Sequence, residues 1–234
     1  MFRQFKDKLL NYIDNRKLQS ILKEKNCTKR FERIYAENYW GSTESKSGAG
    51  STLDATQALR EKMREAFTRY RIASVLDIPC GDFHWMSHVD LSGINYLGAD
   101  IVQNVVDSND QKFSNHHVRF RKMNLISDTI PSVDLILTRD CLVHLSYHCI
   151  FSALKNIAQS GSKYLLATTF LEAENRDIET GQWRAIHLEK KPFFLPKPLE
   201  YINDHGPGEL GWSKFLGLWD IKDFKKFSFD TSSL

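Results

Sequence analysis

Apolar residues recur at helical intervals in the first third of the chain. Between residues 4 and 24 the apolar positions follow a mostly helical period, and a second, shorter helix is predicted over residues 30–38. Further along, Leu59, Met63 and Phe67 lie four positions apart and form one apolar stripe. This stripe predicts a third amphipathic helix.

From residue 73 onward, short apolar runs alternate with segments of helical character. The predicted strands are residues 73–78, 94–101, 117–125, 133–140 and 163–170, and the predicted helices between them are residues 83–89, 102–112 and 146–158. This alternation is typical of a parallel β-sheet covered by helices on both faces. The runs VDLILT and KYLLATTF are almost continuously apolar, as expected for central strands that are buried on both sides.

The remaining segments define the predicted organisation of the chain. The run KFLGLWDI near the end is predicted as a last strand, antiparallel at the edge of the sheet, and the Gly- and Ser-rich residues 40–54 are predicted as a loop. We expect N-terminal helices with a lid loop over residues 1–53 and a second domain over residues 54–234; a flexible linker is the alternative interpretation of the loop. The whole pattern predicts an α/β fold with a doubly wound, mostly parallel sheet, N-terminal helices and an antiparallel edge strand.

Composition excludes several protein classes. The 234 residues are 41% hydrophobic and 26% charged, as in an ordinary globular protein. No apolar run approaches the roughly 20 residues that a membrane helix requires, and the N-terminus is too charged for a secretory signal. The four cysteines show neither paired spacing nor a zinc pattern with histidines. We therefore expect a reduced, cytoplasmic protein without a structural metal.

The net charge of +3 is unevenly distributed. Residues 1–33 contain ten Lys or Arg and four Asp or Glu, so the rest of the chain has a net charge of −3. The main body therefore lacks the basic excess of a nucleic-acid groove, and no nucleic-acid partner is expected. The basic segment is interpreted as a solvated helix face; weak contact with a membrane surface, an acidic partner or a phosphorylated substrate is the alternative.

Two acidic residues follow apolar strands in a way that indicates a nucleotide-type ligand. Asp77 ends one strand and is followed by a tight turn with Gly81, and Asp100 ends the next strand. A glycine turn lets the backbone approach a ligand, backbone N–H groups at a following helix start can hold an anion, and the second acid can accept hydrogen bonds from a ribose. The glycine pattern of nicotinamide sites and the P-loop are both absent from the sequence.

The segment SVLDIPCGDFHWM resembles the first motif of the class I S-adenosylmethionine-dependent methyltransferases, often written D-x-G-C-G-x-G. Asp77, Cys80 and Gly81 match, whereas Pro79 and Phe83 replace the flanking glycines. The resemblance covers roughly residues 70–172 and includes RKMNLIS and VDLILTRDCLVHL. It implies S-adenosylmethionine as cofactor, with contacts from Asp77, Cys80, Gly81, Asp82, Asp100, Ile101, Asn124, Leu125 and Arg139.

More narrowly, the chain is similar to a group of bacterial methyltransferases of poorly defined substrate, some of them in surface-glycan or small-molecule pathways. The resemblance rests on WGSTESKSGAGSTLDAT, LDIPCGDFHWM, RDCLVHLS and TTF with TGQWR. The broader resemblance to the class I family places Asn124 and Leu125 beside the adenine, with the Asn124 side-chain oxygen bonding the adenine amino group. Cys80 is interpreted as a bystander that contributes only its backbone, because the catalytic Pro-Cys pair of cytosine-5 methyltransferases lies well downstream of the cofactor turn.

Two residues after the fourth predicted strand are candidates for the chemistry. His144 titrates near neutral pH and is the candidate general base, and Asp140, four positions earlier, is expected to contact substrate or cofactor. A histidine packed under the loop is the alternative for His144, and Arg139 is expected to bind an acidic substrate group or to pair with Asp140. The candidate substrate contacts are His84, Trp85, Trp183 and Arg184, with core packing as the alternative for Trp85.

The predicted function is the transfer of a methyl group from S-adenosylmethionine to a small molecule or to a sugar or glycan, on oxygen. One alternative is a nucleic-acid or protein methyltransferase. DNA enzymes of this fold that methylate amino groups carry Asp/Asn-Pro-Pro-aromatic where this chain has RDCL. Another is a cofactor-binding partner protein without catalysis.

Overall fold

A seven-stranded sheet forms the centre of the computed structural model, which describes residues 16–204 and 213–226. The strands are β1 (Ser74–Asp77), β2 (Asn95–Asp100), β3 (Val118–Lys122), β4 (Leu135–Thr138), β5 (Tyr164–Phe170), β6 (Glu200–Asn203) and β7 (Lys214–Asp220). Their order across the sheet is β3-β2-β1-β4-β5-β7-β6. Strands β1 to β5 are parallel, as expected from the alternating pattern. The predicted doubly wound α/β fold is confirmed.

The antiparallel strand toward the sheet edge is also confirmed, with one refinement of its place. Strand β7 pairs antiparallel with β5 on one side and with β6 on the other, so β6 is the outermost strand. Every residue of β4 and all but the first of β5 are buried. Their continuous apolar character reflects this central position in the sheet.

Four labelled helices accompany the sheet: α1 (Cys27–Ala36), α2 (Gln57–Arg69), α3 (Gln103–Phe113) and α4 (Tyr147–Gln159). Residues 16–22 are helical as well, and the rest of the predicted helix over residues 4–24 lies mainly outside the described residues. Helix α4 begins after Ser146, whose side chain accepts a hydrogen bond from the Cys149 N–H and so caps the helix. The predicted stripe of α2 is buried, since Leu59, Met63 and Phe67 are each no more than 2% exposed.

The core is divided between the two faces of the sheet because alternate residues of a strand point in opposite directions. On one face Leu76 of β1 packs in the same cluster as the buried residues of α4. On the other face Val75 packs in the same cluster as the buried stripe of α2. The described helices include none that is both long and apolar enough to cross a membrane.

The predicted helix over residues 83–89 does not form. The chain makes only a short 3-10 turn at Met86–His88, and Phe83 has a left-handed φ of +58°. Phe83, Trp85 and Met86 are all buried. In a surface α-helix with one apolar face, Phe83 and Trp85 would lie on different sides, and one of them would be exposed. The expectation that a helix N-terminus follows the Gly81 turn is therefore wrong.

Candidate active site

The carboxyl ends of β1, β2 and β4 meet at one edge of the sheet, because these strands are parallel neighbours. A cavity that is partly open to solvent lies at this edge, and we call it the strand-end cavity. Asp77 and Asp100, the last residues of β1 and β2, line it together with Arg139 and Asp140, which follow β4. The fold thus brings together charged residues that are far apart in the sequence.

Asp77 is a buried carboxyl group at the end of β1. It is 2% exposed, and the Tyr96 hydroxyl on the neighbouring strand donates a hydrogen bond to its Oδ2 over 2.6 Å. Burial raises the pKa of Asp77 to about 7, although the Tyr96 hydrogen bond opposes this shift. Burial therefore favours the protonated form of this carboxyl group more than in an exposed aspartate.

Asp100 fixes the turn that follows β1. Its Oδ2 accepts a hydrogen bond from the Gly81 N–H over 3.2 Å, and its Oδ1 accepts one from the Val102 N–H over 2.9 Å. Burial raises the pKa of Asp100 to about 6, and these two hydrogen bonds oppose the shift. The adjacent residue Ile101 also lines the cavity. The end of β2 is thus joined directly to the turn that follows β1.

The turn itself requires glycine at position 81. Gly81 has a φ of +53°, and a Cβ placed there would lie 2.2 Å from the Ser47 hydroxyl. Beside it, burial raises the pKa of the Cys80 thiol well above its ordinary value, which keeps the thiol protonated. A protonated thiol is a poor nucleophile. The structure thus places Cys80 and Gly81 in the cavity lining with only their backbone and a neutral thiol to offer.

The lid loop, residues 40–54, is held against the Gly81 turn by Asp82. The Asp82 carboxylate accepts hydrogen bonds from the Ser45 and Ser47 hydroxyls and from the Lys46 N–H, at 2.8–3.0 Å. Glu44 adds a 2.9 Å contact to the ring of His84. Asp82 and His84 therefore bind the lid loop, and neither lines the strand-end cavity.

The residues after β3 provide an apolar part of the cavity wall. Asn124 and Leu125 line it, together with Met123 and Ile126. The Asn124 side-chain oxygen accepts a hydrogen bond from the Ile126 N–H over 2.9 Å, which fixes its orientation. A carbonyl oxygen has two lone pairs, so one remains for a ligand.

Arg139 and Asp140 belong to a group of four charges with Asp204 and Lys214, of which only Asp140 is partly exposed. Arg139 bonds both oxygens of Asp204, and Lys214 lies 2.7 Å from Asp140 and 3.1 Å from Asp204. Burial alone would raise the pKa of Asp140, but the Lys214 and Arg139 charges hold it well below its ordinary value. Arg139 also lies over the ring of Trp85, which lines the cavity.

His144 lines the same cavity with a defined orientation. Its Nδ1 lies 2.9 Å from the Gln182 carbonyl oxygen, and because a carbonyl only accepts, Nδ1 carries the proton. The Trp40 ring lies 5.3 Å away, centroid to centroid. Burial lowers the pKa of His144, and the hydrogen bond opposes that shift. The imidazole is therefore neutral at physiological pH, and its Nε2 has a free lone pair.

Comparison with known proteins connects this arrangement to a fold. No protein-family model and no curated protein sequence matches the chain. Solved structures do match, among them a Leishmania major S-adenosylmethionine-dependent methyltransferase (TM-score 0.61, 14% identity, 80% of this chain and 82% of that one). The chain has the Rossmann-like methyltransferase fold.

Two further structures with this methyltransferase fold were determined with S-adenosylmethionine. Human N-acetylserotonin methyltransferase matches with a TM-score of 0.55 and 16% identity, over 90% of this chain and 67% of that one. Magnesium protoporphyrin IX methyltransferase from Synechocystis matches with a TM-score of 0.57 and 10% identity, over 83% of this chain and 97% of that one. At such identities the likeness establishes the fold.

Two candidate substrate residues lie away from the cavity of the methyltransferase fold. Trp183 is 51% exposed and packs edge-on against Phe170. Arg184 is buried, and its guanidinium donates to the backbone carbonyls of Leu142 and Leu145. Neither side chain lines the strand-end cavity, and of the four candidate substrate contacts only Trp85 does.

Three aromatic residues of the N-terminal segment belong to the site, and none of them was among the predicted site residues. Phe31 and Tyr35 of α1, and Trp40 at the start of the lid loop, line the cavity. Burial and the nearby Asp82 and Asp100 charges raise the pKa of Tyr35, so its hydroxyl is a proton-bearing donor. The four-residue spacing of Phe31 and Tyr35 on a predicted helix was the available signal. The boundary at residues 53 and 54 stays a prediction.

Proposed function

We propose that the chain is a methyltransferase that uses S-adenosylmethionine to methylate a hydroxyl group of a small molecule or glycan. The observation that carries this proposal is that Asp100, bound to the Gly81 turn, and His144, neutral with a free Nε2, line one cavity. The first residue suits a ribose and the second suits an acceptor hydroxyl.

The residues of the cavity fit the chemistry of the cofactor. The Asp100 carboxylate accepts two N–H hydrogen bonds and keeps lone pairs for ribose hydroxyls. Leu125 and Asn124 offer an apolar wall and an amide to the adenine. Tyr35 and Trp40 present aromatic rings, which attract cations.

His144 is the base in this proposal. When bound, S-adenosylmethionine supplies a methyl group on a positively charged sulfur. His144 Nε2 removes the proton of the acceptor hydroxyl as that oxygen becomes a nucleophile. The remaining contribution of the chain is alignment and exclusion of water, to which the lid loop contributes by closing over the Gly81 turn.

The charges near the cavity support a small or glycan acceptor. Arg139 and Lys214 form ion pairs with Asp140, and both are also paired with the Asp204 carboxylate. Neither is therefore free to bind the phosphates of a nucleic acid.

All four cysteines are free thiols, which supports a reducing, cytoplasmic compartment for the reaction.

Two measurements test the proposal. Titration calorimetry with S-adenosylmethionine and S-adenosylhomocysteine tests cofactor binding. A chain that binds neither compound would contradict the proposal. S-adenosylhomocysteine production in the presence of hydroxylated metabolites and glycans then tests turnover. Binding without turnover in every mixture would favour a cofactor-binding partner protein over an enzyme.

A further inference from the structure

Arg184 is a buried cation that forms no ion pair within the part of the chain that the structure describes. It is 2% exposed, and burial lowers its pKa to about 10. Within the described residues its guanidinium donates to the carbonyls of Leu142, Leu145 and Arg176 and lies over the Tyr147 ring, and no carboxylate forms an ion pair with it. Burial of an unpaired guanidinium costs free energy. The hydrogen bonds that offset this cost are those to the backbone carbonyl groups, and they indicate what Arg184 does.

Those carbonyls belong to the turn that carries His144. The segment of residues 180–184, which we call the clamp segment, donates to four consecutive carbonyls of this turn. The Arg184 side chain binds the carbonyls of Leu142 and Leu145, the Arg184 N–H binds that of Val143 over 3.1 Å, and the Gly181 N–H binds that of His144 over 2.8 Å. The clamp segment therefore fixes the backbone on both sides of His144.

The clamp segment also fixes the His144 ring. The Gln182 carbonyl accepts the Nδ1 proton, and the Trp40 ring lies beside the imidazole. Gly181 has a φ of +104°, and a Cβ there would lie 2.9 Å from Arg30, so glycine is required to bring this carbonyl into place. Catalytic bases are commonly oriented by a third group that binds their second nitrogen. Here that third group is a backbone carbonyl.

We propose that the clamp segment holds His144 in one tautomer, with Nδ1 protonated and Nε2 available as the base, and that Arg184 is its positioning residue. The role of Nε2 rests on the proposed function. The tautomer and the role of Arg184 rest on the hydrogen bonds alone, so they can be tested without an acceptor.

Histidine ring NMR on the full chain tests the tautomer directly. Long-range correlations in ¹⁵N-histidine-labelled protein distinguish Nδ1–H from Nε2–H, and the His144→Gln variant assigns the signal. We expect a single Nδ1–H form for His144. An Nε2–H form, or a mixture of the two, would overturn the proposal.

Variants of Arg184 test its part. Arg184→Met should give mixed tautomers, because the hydrogen bonds to the carbonyls of Leu142 and Leu145 are lost. It should also raise the pKa of His144, because a nearby cation is lost while Asp140 and Lys214 remain. Arg184→Lys should restore the pKa but not the single tautomer, since an ammonium lacks the planar fork that binds two carbonyls. Arg176→Met, a change to an exposed arginine nearby, is the matched control and should change neither.

The outcomes separate three conclusions. Turnover on an identified acceptor should fall on the order of 100-fold in Arg184→Met with cofactor affinity unchanged, as expected for a misplaced base. A variant that is less stable but keeps the His144 tautomer and pKa would show that Arg184 is merely structural and would overturn the proposal. A wild-type chain with the Nδ1–H form that binds no cofactor would remove the proposed function and leave the clamp intact.

Discussion

The Ser47 hydroxyl lies against the backbone of Gly81, where a Cβ on Gly81 would be 2.2 Å away. Ser47 also accepts a hydrogen bond from the Asp82 N–H and donates one to its carboxylate. The lid loop and the turn after β1 therefore fit each other only because position 81 has no side chain. This contact links the lid loop to the residues that face the ligand.

Gly81→Ala should open the lid loop. The left-handed backbone costs about 1–2 kcal/mol for alanine, and the clash with Ser47 must also push the loop away. We expect lower stability in urea titrations, faster hydrogen exchange over residues 44–52 and weaker cofactor binding. Gly93→Ala is the matched control, because Gly93 also has a positive φ, of +75°, but no atom within 4 Å of its Cβ position. Equal exchange in the two variants would contradict a packed lid.

Asp100→Asn should weaken cofactor binding while the fold persists. The change removes the charge that would bind the ribose and weakens the contact with Gly81. Hydrogen bonds to charged groups contribute about 1.5–3 kcal/mol, so we expect roughly a 10- to 100-fold loss of affinity for S-adenosylhomocysteine in calorimetry. Asp107→Asn, on the exposed side of α3, should bind normally. Unchanged affinity in Asp100→Asn would remove the ribose assignment.

Asp204→Asn should strongly destabilise the protein. It would leave Arg139 and Lys214 buried with one carboxylate between them instead of two. Breaking a buried ion pair costs about 3–5 kcal/mol. Asp220→Asn is the control, because its partner Lys222 is exposed, and such surface pairs contribute at most about 1 kcal/mol. Similar unfolding free energies for the two variants in urea would contradict the importance of the buried group.

Asp77 should make stability fall as the pH rises. Its pKa is 3.8 in the unfolded chain and about 7 in the folded one, so the folded state binds the proton more tightly. The resulting stabilisation is complete below pH 3.8 and is lost as the pH rises through about 7. The unfolding free energy of the wild type minus that of Asp77→Asn should therefore decrease from pH 4.5 to 7.5. A flat difference would show that Asp77 is ionised throughout.

Much of the fold could be predicted because buried strands have a recognisable pattern of apolar residues in the sequence. Strands β4 and β5 are covered on both faces, so their residues are continuously apolar. Asp77 and Asp100 could be located because they end such strands, and parallel strands end at the same edge. For these residues local pattern and tertiary position coincide.

The missed parts depend on contacts between distant segments. Arg139 and Asp204 are 65 positions apart, and no spacing rule connects them. Arg184 was expected at the substrate, yet the fold buries it under the His144 turn. Asp82 was expected at the cofactor, but the lid loop takes its carboxylate. Polar residues reveal their chemistry in the sequence, whereas their partners are set by the fold.

His144→Gln should lower turnover about 10²- to 10⁴-fold, the usual contribution of a general base, with little change in affinity for S-adenosylhomocysteine. In the wild type, burial lowers the pKa of His144 from 6.5, so the base stays neutral at physiological pH and turnover should decline only in more acidic solution, below pH 6.5. The variant should lack this decline. Both profiles are measured as S-adenosylhomocysteine formed with saturating acceptor and S-adenosylmethionine, because protonation of Asp100, whose pKa is about 6, would otherwise slow both proteins in acid. His84→Gln is the control, since His84 contacts Glu44 of the lid loop and does not line the cavity. If His144→Gln kept the wild-type rate and acid limb, the base would have to be another group.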